Sequence, residues 1–213
     1  EHIDPVLVGN KRKLLVSDQG GKSNIISVLK RLKIDVKDND PRILKLLEIV
    51  KEREANGYTY ASAEASFELL ARNTFGKVKE YFKVESFRIM VERRTNAIGE
   101  LITVSEATVK LEVDGERTMS SGEGNGPINA LDSALRKDLG KYNKYIVDLQ
   151  LLDYKVRVLS GGTGAVTRVL VESRDSTGKR WFTIGVSPNI VDASFQALMD
   201  SITYKLLNSS IAE

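Results

Sequence analysis

The stretch ATVKLEVDGERTMSSGEGNGPINALDSALR, Ala107–Arg136, decides the fold. Ala107, Val109, Leu111 and Val113 alternate with Thr108, Lys110 and Glu112, the period of a strand with one buried face. Asp114-Gly115 is a tight hairpin signal, because both central positions of such a turn need positive φ. A short third strand, about Glu116–Ser121, leads into a glycine loop and a helix over Ile128–Leu139. Upstream, Phe87, Ile89 and Val91 alternate with charged or long residues and supply a first strand.

The order then starts again. Leu152, Tyr154, Val156 and Val158 alternate with Asp153, Lys155 and Arg157, and Thr167, Val169 and Val171 with Arg168, Leu170 and Glu172. A turn at DSTGK precedes the strand RWFTIGV, and a helix runs from about Asn189 to Leu207. Residues 81–207 are therefore an internal β-β-β-α repeat, with units at about 81–140 and 146–207. Val109, Leu111 and Glu112 align with Val169, Val171 and Glu172. After a hairpin one residue longer, Gly124, Gly126 and Pro127 align with Gly185, Ser187 and Pro188. One unit alone leaves an apolar face uncovered; two packed by pseudo-two-fold symmetry bury it, and a symmetric dimer buries more.

Residues 1–76 follow a different pattern and predict mostly helical subdomains ahead of the repeat domain at 77–213. Lys13–Ser17 has strand character. Ser23 is placed to cap a helix with Ile25, Val28, Leu29 and Leu32 on one face. Asp40-Pro41 is a cap followed by proline at the first helical position, with Ile43, Leu46, Leu47 and Val50 as the apolar stripe. Gly57 stops that helix, and a third covers roughly Tyr60–Arg72 before Gly76. The fold class is α+β: helical subdomains followed by the duplicated domain.

Composition narrows the chemistry. The 213 residues contain no cysteine and one histidine, His2, so disulfides, thiolate catalysis, a His-rich metal site and a Ser-His-Asp triad are excluded within this chain. The 32 basic and 29 acidic residues are mixed, which reads as a solvated surface and argues only weakly for nucleic acid. No apolar run is long enough to span a membrane. The chain opens without Met, on EHIDPVLVGN, and is expected to be a segment of a longer, cytoplasmic protein.

The DQGGKSN segment, Asp18–Asn24, is not a Walker loop, since Val16 stands where the first glycine belongs. GEGNGP, Gly122–Pro127, lacks the dinucleotide spacing. Its bland reading is a strand-to-helix turn. Its functional reading is an anion site: N–H groups at a helix start carry partial positive charge, and glycine lets a carboxylate approach. Ile128 and Leu131 place apolar groups one turn on, as a free amino acid requires. GGTGA, Gly161–Ala165, reads as a hairpin turn. Trp181 and Phe182 are adjacent in a strand, so they face opposite sides and form no stacking platform for RNA.

HIDPVLVGNKRKLLVSDQGGKSNI, GPINALDSALR, LLDYKVRVL, TRVLVESRD and IGVSPNIVDASFQALMDSI together resemble the C-terminal half of the citramalate synthases, which belong with the 2-isopropylmalate and homocitrate synthases. The resemblance covers essentially the whole chain. It implies an intact acyltransferase that condenses acetyl-CoA with pyruvate on a separate (β/α)8 barrel holding a divalent metal (Mg, Mn or Zn). This chain by itself would need no cofactor and catalyse nothing. It implies a homodimer with a feedback amino acid, isoleucine or leucine, at the regulatory interface. Carried over by motif, the effector residues are Gly124, Gly126, Ile128 and Asn129 at the loop and helix start, Leu151, Tyr154 and Val158 on the LDY strand, and Ala165 and Thr167 on the next. Ile184 or Ile190 is the match in the second repeat. Where the family can offer a linker tyrosine to the partner's active site, this chain has Ser27, so no catalytic role is assigned. A non-enzymatic RNA-binding module is the reading from a different class; mixed charge and absent RNP-type aromatics count against it.

Overall fold

The computed structural model describes residues 21–76, 78–159 and 165–209. The strand expected at Lys13–Ser17 and residues 161–164 of the expected GGTGA turn lie outside them. Three helices lead: α1 (Lys22–Arg31), α2 (Pro41–Ala55) and α3 (Glu64–Thr74). Two β-β-β-α units follow: β1 (Lys83–Thr95), β2 (Leu101–Val113), β3 (Glu116–Gly124) and α4 (Pro127–Lys137); then, after the one-turn helix α5 (Asn143–Ile146), β4 (Gln150–Val158), β5 (Thr167–Arg174), β6 (Arg180–Ser187) and α6 (Ile190–Leu207). Each unit has its own antiparallel three-stranded sheet, in the order β1-β2-β3 and β4-β5-β6.

Local chemistry sets most boundaries. The Asp40 side chain accepts from Arg42 N at 2.9 Å, with Pro41 opening α2. Asp114 and Gly115 take φ of 52° and 82°, the paired positive values of a two-residue hairpin. Asn189 caps α6 by accepting from Val191 N. Several boundaries differ from expectation: the third helix begins at Glu64 and not Tyr60, and the fourth ends at Lys137 and not Leu139. Ser23 lies inside α1, whose N-cap is Gly21 without a side-chain bond. The third strand runs on to Gly124, so Gly122 and Gly124 are strand residues and not loop residues.

Those glycines explain how each unit closes. A Cβ on Gly122 would stand 2.5 Å from Ala134 N and 2.9 Å from Ala130 O; a Cβ on Gly185 would land on the carbonyl of Ala193. Beside them, Ser120 Oγ donates to Ala134 O and Thr183 Oγ1 to Ala197 O, both at 2.7 Å. Gly122 therefore corresponds to Gly185, Ala130 to Ala193 and Ala134 to Ala197, an offset of sixty-three. The same register pairs Ala107 with Gly122 and Val169 with Gly185. The true correspondence thus lies two residues beyond the alignment drawn from sequence. A shift of two preserves which face each strand residue takes, so alternation alone could not reveal it. The extra residue in the second hairpin is present, and both first strands carry a register break at the same place, at Glu85 and at Leu152.

The units share one core. Val109, Leu111, Leu131 and Leu135 from the first, and Trp181, Leu198, Ile202 and Leu206 from the second, belong to one buried cluster. Each such side chain contributes about 1.5–3 kcal/mol by leaving water. Phe87 of β1 stacks on Phe195 of α6, with ring centres 4.8 Å apart. Trp181 is buried inside and Phe182 looks outward, the opposite facing expected of neighbours in a strand.

The helices α1–α3 form a second core that takes in the outer face of the second sheet: Ile184 is buried among them, with Leu170 and Val186 packed alongside. Polar bonds ring this contact. Tyr58 Oη donates to Gln196 Oε1 at 2.8 Å, and the same oxygen accepts from Val186 N. Ser66 Oγ donates to Asp200 Oδ2 at 2.5 Å and accepts from Ile184 N. Tyr204 Oη donates to Glu68, and Arg168 Nε to Gly57 O. Burial pushes the Asp200 carboxyl up to about 6, against the Ser66 hydrogen bond and the Arg53 charge.

Two outcomes follow. Gly185→Ala should cost about 1–3 kcal/mol through forced separation of β6 and α6, whereas Gly126→Ala, which meets open space, should cost no more than about 1 kcal/mol as a changed helix cap. Denaturant unfolding of both variants decides it; equal losses would remove the close-approach account. Asp200 keeps its proton in the folded state where the unfolded chain, near 3.8, has released it. Stability should therefore fall as pH rises from about 4 to about 6, and Asp200→Asn should abolish that slope in thermal melts taken across the range.

Candidate functional site

One face of α4 carries Ile128, Asp132 and Arg136 at four-residue spacing, while Ala130, Leu131, Ala134 and Leu135 are buried on the sheet side. The first face, with Asn129, looks toward the chain entering β4. Between them lies a hollow of about 470 Å³, whose far wall is Leu149, Gln150, Leu151 and Tyr154. The size suits a small molecule. Ile128, Leu149, Leu151 and the Tyr154 ring make its apolar part. Asn129 caps locally, its Oδ1 accepting from Asn125 N at 3.3 Å.

The charged part is an ion pair. Arg136 Nη2 donates to Asp132 Oδ2, and Arg136 Nη1 to Leu149 O at 2.5 Å, tying α4 to the start of β4. Asp132 is only 5% exposed. Its carboxyl is held above the usual carboxylate range by burial, and the Arg136 charge opposes that shift. Tyr154 Oη and Ser194 Oγ lie 2.7 Å apart, and Ser194 Oγ donates to Ile190 O, so the hollow's tyrosine touches the first turn of α6. A larger hollow of about 870 Å³ shares Asn129, Asp132 and Arg136 but is otherwise lined by polar and small groups such as Glu106, Thr108, Ser121 and Lys137. It lacks the apolar wall that an aliphatic side chain needs.

The structure brings together four of the expected effector residues: Ile128, Asn129, Leu151 and Tyr154. Gly124 instead lets α4 approach β3, a Cβ there standing 2.5 Å from Ala130 N; Gly126 is the α4 N-cap and faces open space. Val158 ends β4 at 60% exposure and pairs with Thr167, which is buried; Ala165 lies just before β5. Ile184 sits on the opposite face of its sheet, in the linker core, and Ile190 is the exposed first residue of α6. Ser27 is on α1, its hydroxyl donating to Ser23 O. The sequence reading missed Asp132, Arg136, Leu149 and Gln150. The four-residue spacing from Ile128 carried a signal for the first two; nothing local marked the others.

Comparison with known proteins agrees with this architecture. Residues 61–206 match the family described as the LeuA allosteric (dimerisation) domain. The chain is 48% identical over 210 residues to (R)-citramalate synthase of Aquifex aeolicus, covering 97% of this chain and 39% of that protein. It is 47% identical over 215 residues to (R)-citramalate synthase of Geobacter sulfurreducens, covering 100% of this chain and 40% of that one. Similarity extends to 2-isopropylmalate synthase of Methanocaldococcus jannaschii, at 29% over 203 residues, 95% of this chain and 37% of that protein. The chain thus spans about two fifths of the length of these relatives. With both β-β-β-α units and α3 inside the matched span, this chain belongs to the LeuA allosteric (dimerisation) domain family.

Proposed function

We propose that this chain is the linker and feedback-sensing part of a citramalate synthase, with isoleucine bound in the hollow between α4 and β4. One observation carries the reading: Ile128, Asn129, Leu151 and Tyr154, from both repeat units, meet around a single hollow with an apolar wall and a charged end. Burying a sec-butyl group there contributes about 1.5–3 kcal/mol. The intact enzyme would condense acetyl-CoA with pyruvate on a barrel outside this chain. The divalent metal of that reaction would sit on the barrel. The higher identity to the citramalate synthases favours isoleucine over leucine, the effector that a 2-isopropylmalate synthase would sense.

The family is a dimerisation domain, and the fold suggests which face dimerises. Beyond the cover of α4, β1 leaves Val91 53% exposed; at the equivalent place on β4, Val156 and Val158 are also open. Two like apolar strand ends, related by the internal pseudo-symmetry, suit a second copy of the chain. The β4 end is continuous with Tyr154, so a partner there would complete the hollow. A signal has a route outward. The first turn of α6 touches Tyr154 through Ser194, and its later turns hold the linker through Gln196, Asp200 and Tyr204.

Calorimetry on the 213-residue chain should show isoleucine binding, and sedimentation equilibrium a dimer at micromolar concentration. Val158→Asp should shift the dimer toward monomer and weaken isoleucine. A folded dimer that binds neither isoleucine nor leucine would end the sensing assignment, and binding of leucine alone would replace it with the 2-isopropylmalate synthase reading.

A further inference from the structure

We propose that Asp132 is the acceptor for the α-ammonium of the amino-acid effector. This rests on the reading of the α4–β4 hollow as the effector site and adds what that reading lacks, a partner for the cationic end of the ligand.

The hollow has two charged side chains, and only the carboxylate can accept from a ligand cation. Arg136 carries donors alone and repels an ammonium: Nη1 is on the Leu149 carbonyl, Nη2 is on Asp132, and Nε is enclosed. Asp132 uses Oδ2 for Arg136. Its Oδ1 has no partner among the described residues and is not enclosed. A buried carboxylate retains unused acceptor capacity at a cost, because its desolvation is offset only in part by a single cation. A ligand ammonium at Oδ1 would offset the rest.

Position fits as well. Asp132 lies one turn beyond Ile128 on the same face of α4. An α-amino acid lying along that face can direct its ammonium to Asp132 and its carboxylate toward the first-turn N–H groups. Its side chain then meets Leu149, Leu151 and Tyr154. The Asp132–Arg136 pair and the zwitterion are each neutral, so binding buries no net charge. The arrangement selects against molecules of the same shape that lack the amino group. The competing account is purely structural: the pair would serve only to fasten α4 to β4.

The test compares isoleucine with 3-methylpentanoate, which has the same carbon skeleton without the amino group. Asp132→Asn keeps the acceptor for Arg136 and removes the charge. Isoleucine affinity should fall on the order of ten- to hundredfold, with 3-methylpentanoate unchanged or tighter, in a variant whose circular dichroism matches the parent. Unchanged isoleucine binding, or equal weakening of both ligands, overturns the assignment while leaving the sensing reading intact. Should the variant not fold, the parent chain decides: with isoleucine saturating, its Hα should show a nuclear Overhauser contact to the β-protons of selectively labelled Asp132. Absence of that contact overturns the proposal. A parent chain that binds neither isoleucine nor leucine removes both readings together.

Discussion

The structure depends on the close seating of a helix on the third strand of each unit. At Gly122 and Gly185 the backbone of β3 or β6 comes so near α4 or α6 that no Cβ fits between them. The hydroxyls of Ser120 and Thr183 fasten the contact by donating to helix carbonyls one turn further on. This fixes the height and angle of each helix over its sheet. With α4 fixed, the face carrying Ile128, Asp132 and Arg136 is directed at the start of β4. With α6 fixed, Phe195 reaches Phe87, and Gln196, Asp200 and Tyr204 face the linker.

The duplication gives two equivalent units different tasks. The helix of the first unit lines the hollow. The helix of the second meets the hollow's tyrosine through Ser194, packs Leu198, Ile202 and Leu206 into the shared core, and holds the linker through Gln196, Asp200 and Tyr204. The second sheet is covered on both faces, by α6 inside and α1–α3 outside. The outer face of the first sheet carries exposed residues such as Met119. In the sensing role proposed above, a ligand at one end of α6 would change the surface at the other, because a packed helix moves as a body more readily than it deforms.

Much of the candidate site was legible in part. The LDY strand and the α4 start both appear in the hollow, since alternation and helix spacing fix which side chains share a face. The loop was drawn too long: the third strand runs on to Gly124, Gly122 and Gly124 let α4 approach, and only Gly126 stands at the helix cap. Sequence shows that a position is small, and only the neighbour shows why. Ile184 failed to join the hollow for a related reason. An apolar strand residue can serve either face of a sheet covered on both sides, and the linker claims its side.

The sequence by itself determined most of the elements, their order, the two hairpins, the cap at Asp40, and the existence of a repeat. These follow from interactions between residues near one another in the chain, in turn geometry, capping and periodicity. The tertiary structure decided the register of one repeat on the other, the sheet face the linker covers, and the placement of Asp132 opposite Leu149 and Tyr154. Strand alternation is blind to shifts of two residues, and burial of a carboxylate depends on what packs over it. Both are settled only when distant segments meet.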